Sequence, residues 1–486
     1  MSISQVLNNA YSGLVASSRR AEAVSDNVAN AMTEGFGRRS VELSSYVLGR
    51  SGGGVRVEGI VRATDIRATA DRRRAEAFES GAAMMKEALA RLTDVLGEPG
   101  AAGALSTRAD AFGTALSALR DTPESTTLQG SLLEAARGYA GALNAAAAET
   151  RALREEADSA IATDVKTVNT NLARIEDLNR EILVRNAARD DTAGLEDERQ
   201  RLIDQVNEII PLRVARRDGD QVALYSVGGA TLLDGRSFEL GFQRTATITA
   251  DMTLAAGGLS GLTLNGRDME IGQGSGLLEG GRLAAAFALR DVTLPEVGGR
   301  LDALAADLIS RFEDPAVDPS LAAGDPGLFT DAGNALDPLD TIGLSGRIEV
   351  NAAVDPSRGG SLWRLRDGIN ATAQGLLGDD TLLRAMDAAF TARLPAPAAT
   401  GVSGSLSAAS LASEVSSLLF GEAAAQDATA SYAAGQAGAL REHELALTGV
   451  DTDQEMQDLL LVQTAYAANA RVITAVDEML RQLLEI

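Results

Sequence analysis

The sequence predicts a mainly α-helical protein with a smaller β part: terminal coiled-coil helices, an elongated helical-bundle body, and β-containing inserted outer domains. Three observations carry this. Apolar residues recur at heptad spacing along both ends of the chain; no Gly or Pro stands between Gly141 and Gly194; and only 3% of the 486 residues are aromatic. A chain so poor in rings is held together by Ala, Leu, Val and Ile, which suits helices packed at close range.

Ser2 with Gln5 offers a capping-box start to the first helix. Ile3, Leu7, Ala10, Leu14, Ser17, Ala21, Val24, Val28 and Ala31 then alternate steps of four and three, a seam interrupted only by the small polar Ser17. Gly13 beside the seam weakens the helix but lets another helix approach closely. Asn30 to Gly35 reads as the helix end, with Gly35 suited to a left-handed turn. Residues 36–68 alternate apolar and polar around Gly49 and Gly52–Gly54, which predicts an extended hairpin.

From about residue 76 helices dominate. Ile161, Val165, Val168, Leu172, Ile175, Leu178 and Ile182 keep near-heptad spacing, and a helix over 130–188 would be ~85 Å long. A further helix over 195–209 stops before Pro211. Residues 211–275, rich in β-branched residues and with Asp-Gly steps at 218 and 234, predict a small β subdomain. Helix returns over 280–312. Residues 313–360 collect Asp-Pro steps and predict a loop-rich insertion with short strands near 340–352. Helices resume after about 375, break near Pro395 and Pro397, and continue across 405–447.

The last segment starts after Gly449, with Thr452 as a candidate cap and Glu455 three residues on. Its seam is Leu459, Val462, Tyr466, Asn469, Ile473, Val476, Leu480 and Leu483. Asn469 is its only strongly polar member, of the kind that fixes register. The expected division is a terminal coiled-coil domain (1–68 and 450–486), a helical-bundle body (69–210, 276–312 and 400–449), a β subdomain (211–275) and an outer insertion (313–399).

Composition excludes much. Forty-four basic against 68 acidic residues leave a net charge of −24, which argues against nucleic-acid binding. There is no Cys, one His (His443) and two Lys (Lys86 and Lys166), so thiolate, metal and Schiff-base chemistry lack their residues; no cofactor and no enzymatic activity are expected. Gly272-Gln-Gly-Ser-Gly276 misses the dinucleotide fingerprint, because Leu277 stands where the last Gly belongs. Asp451 and Asp453 lack the later ligands of a calcium loop. No secretory signal is visible and no run approaches 18 apolar residues, so no membrane insertion is expected. Residues 19–74 carry eleven Arg against seven acids; a solvated surface that happens to be basic is the plainer reading, and a basic collar meeting acidic neighbours is the sharper one.

Both ends join one body, so paired within a subunit they must run antiparallel. Two such helices shield only one face each. The expectation is therefore that neighbouring copies complete their burial, and that the lone subunit leaves them frayed.

Ser12-Gly-Leu-Val-Ala16, Ser25-Asp-Asn-Val-Ala-Asn30, Thr33, Gly35-Phe36 and Arg38 resemble the N-terminal signature of bacterial flagellar axial proteins: rod, hook and hook-associated proteins. Asp451-Thr-Asp-Gln-Glu-Met456, Gln463-Thr-Ala-Tyr466, Ala470-Arg-Val-Ile473 and Asp477-Glu-Met-Leu480 resemble its C-terminal counterpart. Gly35-Phe-Gly-Arg38 and the stretch 176–235 (Glu176-Asp-Leu-Asn179, Leu202-Ile-Asp204, Gly228-Gly229, Leu233) are similar to the hook-associated members between hook and filament. Phe36 for Tyr, Arg39 for Gln, and Arg311-Phe-Glu-Asp-Pro315 depart from the pattern.

The resemblance implies a structural, extracellular flagellar component, passed unfolded through the export apparatus without a cleaved signal peptide. It implies a homo-oligomeric ring whose terminal helices line the axial channel. Hook protein and a second junction or filament protein would be its neighbours, and a cytosolic export chaperone would hold the C-terminal helix. The seams and motif positions give the candidate assembly residues: Ile3, Leu7, Ala10, Leu14, Val24, Asn27, Val28, Asn30, Gly35, Arg38, Leu459, Val462, Tyr466, Asn469, Arg471, Ile473, Val476, Leu480 and Leu483. A hook or distal-rod protein, or a non-flagellar secreted coiled-coil scaffold, are the alternatives.

Overall fold

The computed structural model describes residues 3–33, 35–48, 51–188, 190–271 and 278–484. Ser2 of the expected capping box, the Gly49 turn and the Gly272–Leu277 stretch lie outside the described residues.

The first helix, α1 (Ile3–Ala29), leads into an antiparallel hairpin of β1 (Arg39–Leu48) and β2 (Ser51–Arg62). Helix α2 (Ile66–Leu96) follows. It begins ten residues before the sequence pattern suggests, because the Asp65 carboxylate accepts the N–H groups of Arg67 and Ala68 and caps it. Helix α3 (Leu105–Asp121) precedes the longest element, α4 (Thr126–Ala188), a single helix of 63 residues. All seven of its seam residues from Ile161 to Ile182 are buried. Helix α5 (Ala193–Ile209) then turns back along it.

The β region holds two small antiparallel sheets. One joins β3 (Leu212–Arg216), β4 (Val222–Ser226), β5 (Thr231–Asp234) and β6 (Arg236–Ser237); the other joins β7 (Leu240–Gly241), β8 (Leu262–Leu264) and β9 (Arg267–Met269). The helix expected over 280–312 is interrupted. Helix α6 (Gly281–Ala288) and α7 (Leu294–Phe312) are joined by a π turn over residues 289–293, with Pro295 in the first turn of α7. Proline carries no N–H, so the ladder widens just before it and loses little. The π turn also carries Arg290 fully inward, where its guanidinium pairs with Asp158 of α4 at 2.7 Å and donates to the Ser260 carbonyl.

The insertion contains the pair β10 (Phe329–Asp331) and β11 (Ile348–Val350), a short helix α8 (Arg364–Asp367), α9 (Thr381–Thr391), and the pair β12 (Leu394–Pro395) and β13 (Ser405–Leu406). Its Asp-Pro steps are built turns. The carboxylates of Asp314, Asp318, Asp337 and Asp355 each accept the N–H two residues on, at 2.8–2.9 Å. Helix α10 (Ala408–Thr448) returns to the body, and α11 (Thr452–Leu484) closes the described chain.

One core lies between α2, α3, α4, α7, α9 and α10 and takes in β10 and β11. Scarce aromatics are concentrated there: Phe112 meets Phe312, Phe329 and Phe390 edge-on, with centroids 5.1–5.7 Å apart. A second core joins the later half of α4 to α5, α6 and the β region.

Candidate assembly surface

Helices α1 and α11 pack against each other in antiparallel sense. Asn27 near the end of α1 meets Glu455 at the start of α11, and Gly13 faces Asn469 near both midpoints. A Cβ at position 13 would lie 2.6 Å from the Asn469 amide nitrogen, so glycine sets the close approach. Ser17, the polar break in the seam, is buried because its hydroxyl donates to the Gly13 carbonyl.

Burial within the subunit is partial. Of the α1 seam only Ala10, Ser17 and Val24 are buried, and of the α11 seam only Val462 and Val476. Ile3, Leu14, Asn469 and Ile473 are half-buried. Leu7, Val28, Leu459, Tyr466 and Leu480 are exposed. The Leu483 side chain lies outside the described ones. Tyr11, Val15, Leu460 and Leu461, which the seam reading omitted, are exposed as well, at 40–63%. The helix pair therefore carries a large uncovered apolar surface.

Among the described residues, one helical stretch within 408–482 is long and apolar enough, by length and composition alone, to cross a membrane. Unbroken apolar runs are short there, because polar residues are interspersed through it.

The motif residues converge at the base of the pair. The Asn27 amide, buried, donates to the Arg39 carbonyl and to Glu455, and its oxygen accepts the Arg39 N–H. Arg38 is held three ways: its N–H donates to Thr448 at the end of α10, its carbonyl accepts from Ala63, and its guanidinium pairs with Glu455 at 2.7 Å and Asp458 at 3.4 Å. Gly35 takes φ 78°, as the left-handed turn requires, and its carbonyl accepts from Arg62. Asn30 donates to the Asp26 carbonyl one turn back.

Arg38, a candidate assembly residue, pairs with carboxylates of its own chain. One expectation is corrected here. The α11 cap is Asp451, whose carboxylate accepts from Asp453 and Gln454, so Glu455 is free of the capping box and serves Arg38 and Asn27 instead. Arg471 is exposed on α11 and makes no ion pair among the described residues.

Part of the basic segment meets acids, and they belong to the same chain, while Arg19 and Arg74 stay exposed. Arg39 and Arg62 share Asp197 of α5 at 3.0 and 2.6 Å. Arg72 pairs with Glu76, Asp204 and Glu444, Arg73 also reaches Asp204, and Arg441 joins Glu76. Burial alone would lower the Arg72 guanidinium, but Asp204, Glu76 and Glu444 together raise it above the ordinary arginine value. Sequence reasoning missed Asp197, Asp204 and Glu444, since each stands far along the chain from its partners.

Among the described residues no group of three or more His, Cys, Asp or Glu is placed to hold a metal ion.

Residues 89–316 match the family described as the flagellar hook-associated protein FlgK helical domain, and residues 444–486 match the flagellar basal body rod FlgEFG protein C-terminal family. Flagellar hook-associated protein 1 of Salmonella typhimurium is 27% identical over 240 residues, covering 48% of this chain and 43% of that protein. The protein of that name from Bacillus subtilis is 23% identical over 519 residues, covering 98% of this chain and 97% of its own length. The chain thus spans under half the length of the first of these relatives and nearly all of the second. Among solved structures, the flagellar hook junction protein FlgK from Burkholderia pseudomallei is 19% identical, with a TM-score of 0.44, covering 54% of this chain and 47% of that one. The chain is similar to flagellar hook-associated protein 1, and the terminal motifs that resemble axial proteins lead to the same group.

Proposed function

We propose that the chain is a structural component of the bacterial flagellum, an adaptor at the junction of hook and filament that self-assembles through α1 and α11 after export. The observation that carries this is the incomplete burial of the α1–α11 pair. Leu7, Tyr11, Val15, Leu460, Leu461 and Tyr466 stay exposed on helices whose opposite faces are packed. Neighbouring copies in a ring would cover them, at roughly 25 cal/mol per Å² of apolar area removed from water. Hook protein and a second junction or filament protein would meet the ring above and below. A cytosolic export chaperone would shield the same stripe of α11 before export, since an uncovered apolar helix face aggregates. Chemistry plays no part in this role.

A second reading, a hook or distal-rod protein, draws on the rod-protein match of residues 444–486. The hook-associated helical-domain match of residues 89–316 favours the first. Electron microscopy of cells lacking the protein tests the choice: hooks without filaments support the junction role, and absent hooks refute it. For the assembly face, Ile473→Asp should leave a soluble protein with its helical body intact that does not incorporate; normal motility of such cells would count against the reading.

A further inference from the structure

The terminal pair is tied to the body by carboxylates on either side of an arginine group. On one side, Glu455 at the start of α11 is 2% exposed and holds Arg38 and Asn27. On the other, Asp197 of α5, 16% exposed, holds Arg39 and Arg62, which bracket the hairpin at the first residue of β1 and the last of β2. Asn27 joins the two halves by exchanging hydrogen bonds with the Arg39 backbone. The link that these contacts brace is short: α10 ends at Thr448 and α11 begins at Thr452, with Gly449 extended between them. Residues 449–451 alone would leave the direction of α11 loosely set.

We propose that Asp197 and Glu455 are positioning residues: they fix the angle at which the α1–α11 pair leaves the helical body, and so whether a copy presents its apolar stripe to its neighbours. This rests on the reading of that pair as the assembly element. Neither carboxylate belongs to the apolar stripe; Asp197 acts through Arg39 and Arg62, and Glu455 through Arg38 and Asn27. Partly buried, shared carboxylate–guanidinium contacts are directional and resist screening better than exposed pairs. Loss of either carboxylate turns one orientation into several. If the assembling orientation is then populated about a tenth of the time, apparent assembly weakens about tenfold.

The chain has no cysteine, so spin labels attach only where a cysteine is introduced. Arg74→Cys on α2 and Glu478→Cys on α11 give a pair whose distance distribution reads the angle, and unlabelled chains give incorporation into sheared flagella. The expected result is one narrow distance in the parent, broadened distributions in Asp197→Asn and Glu455→Gln with the body's melting unchanged, and about tenfold less incorporation. Asp197→Glu should restore both readouts. Narrow distributions in the variants, a parent as broad as they are, or parent-level incorporation despite broadening would each overturn the proposal. Failure of the parent itself to incorporate overturns the assembly reading, and this inference with it.

Discussion

Replacing Gly13 by alanine tests the pairing of α1 with α11 at one contact. In a free helix the change favours folding by about 0.5–1 kcal/mol, because glycine loses more backbone freedom. In the folded chain the new Cβ would stand 2.6 Å from the Asn469 amide nitrogen and 2.8 Å from its Cγ. Carbon atoms make good contact at about 3.5–4.0 Å. All the obstructing atoms are at the end of the half-buried Asn469 side chain, so the amide swings aside while the helices hold, and the cost falls at the low end of the about 1–3 kcal/mol that overpacking brings. The helical gain is thus cancelled or reversed with Asn469 present, and returns when Asn469→Ala removes the obstruction. A double-mutant cycle should show a coupling of about 1–2 kcal/mol, roughly a 5–30-fold change in protection. Hydrogen exchange of α1 amides is the suitable assay, because a chain with separate cores does not unfold in one step, whereas local opening is still read peptide by peptide. Effects that add within about 0.5 kcal/mol would mean that Asn469 does not oppose a Cβ at position 13, and that glycine there does not set the approach of the two helices.

Three further outcomes are expected. Phe112→Ala, at a fully buried ring with three aromatic neighbours, should cost about 3–5 kcal/mol and lower the calorimetric transition of the body; Phe112→Leu should lower it much less. Asp158→Asn should cost about 1–3 kcal/mol in urea denaturation, because the fully buried Arg290 loses one carboxylate but keeps both hydrogen bonds to Asp291 at 2.8 Å; Asp158→Asn combined with Asp291→Asn, which leaves the charge without a carboxylate, should cost about 3–5 kcal/mol. At Asp355 burial alone would raise the carboxyl, but hydrogen bonds from Ser357 and Arg137 outweigh it and hold the group well below the usual carboxylate range. A depressed folded value contributes stability that is complete above the unfolded value, about 3.9, and fades as pH falls below it. Asp355→Asn should therefore destabilise the insertion at pH 7, with the difference shrinking toward pH 3; fluorescence of Trp363, the single tryptophan, reports it.

The elements legible in the sequence are those whose signal is local. The seam from Ile161 to Ile182 is buried throughout, because a periodic apolar stripe on a long helix meets one continuous partner surface. The hairpin over residues 39–62, the β region after Pro211 and the break at Gly449 follow from alternation and from turn residues in the same way. The start of α2 at Ile66 was missed because Asp65 caps a stretch with no helical apolar period, and the π turn was missed because Pro295 alone does not show where the ladder will widen. In the candidate site the antiparallel sense of α1 and α11 was readable from chain connectivity. The partners of Asn27 and Arg38 were not, since Glu455 lies more than 400 residues away.

Heptad spacing, turn chemistry and composition by themselves determined that this chain has helical ends with apolar seams, a long helical body, and no cysteine for thiol chemistry. Tertiary structure alone decided which seam residues are covered within the subunit, that part of the basic segment closes on carboxylates of its own chain, and that the rings gather at Phe112. The reason is range: backbone propensity and side-chain period act over a few residues, whereas burial and ion pairing depend on which distant segments the fold brings within a few ångströms.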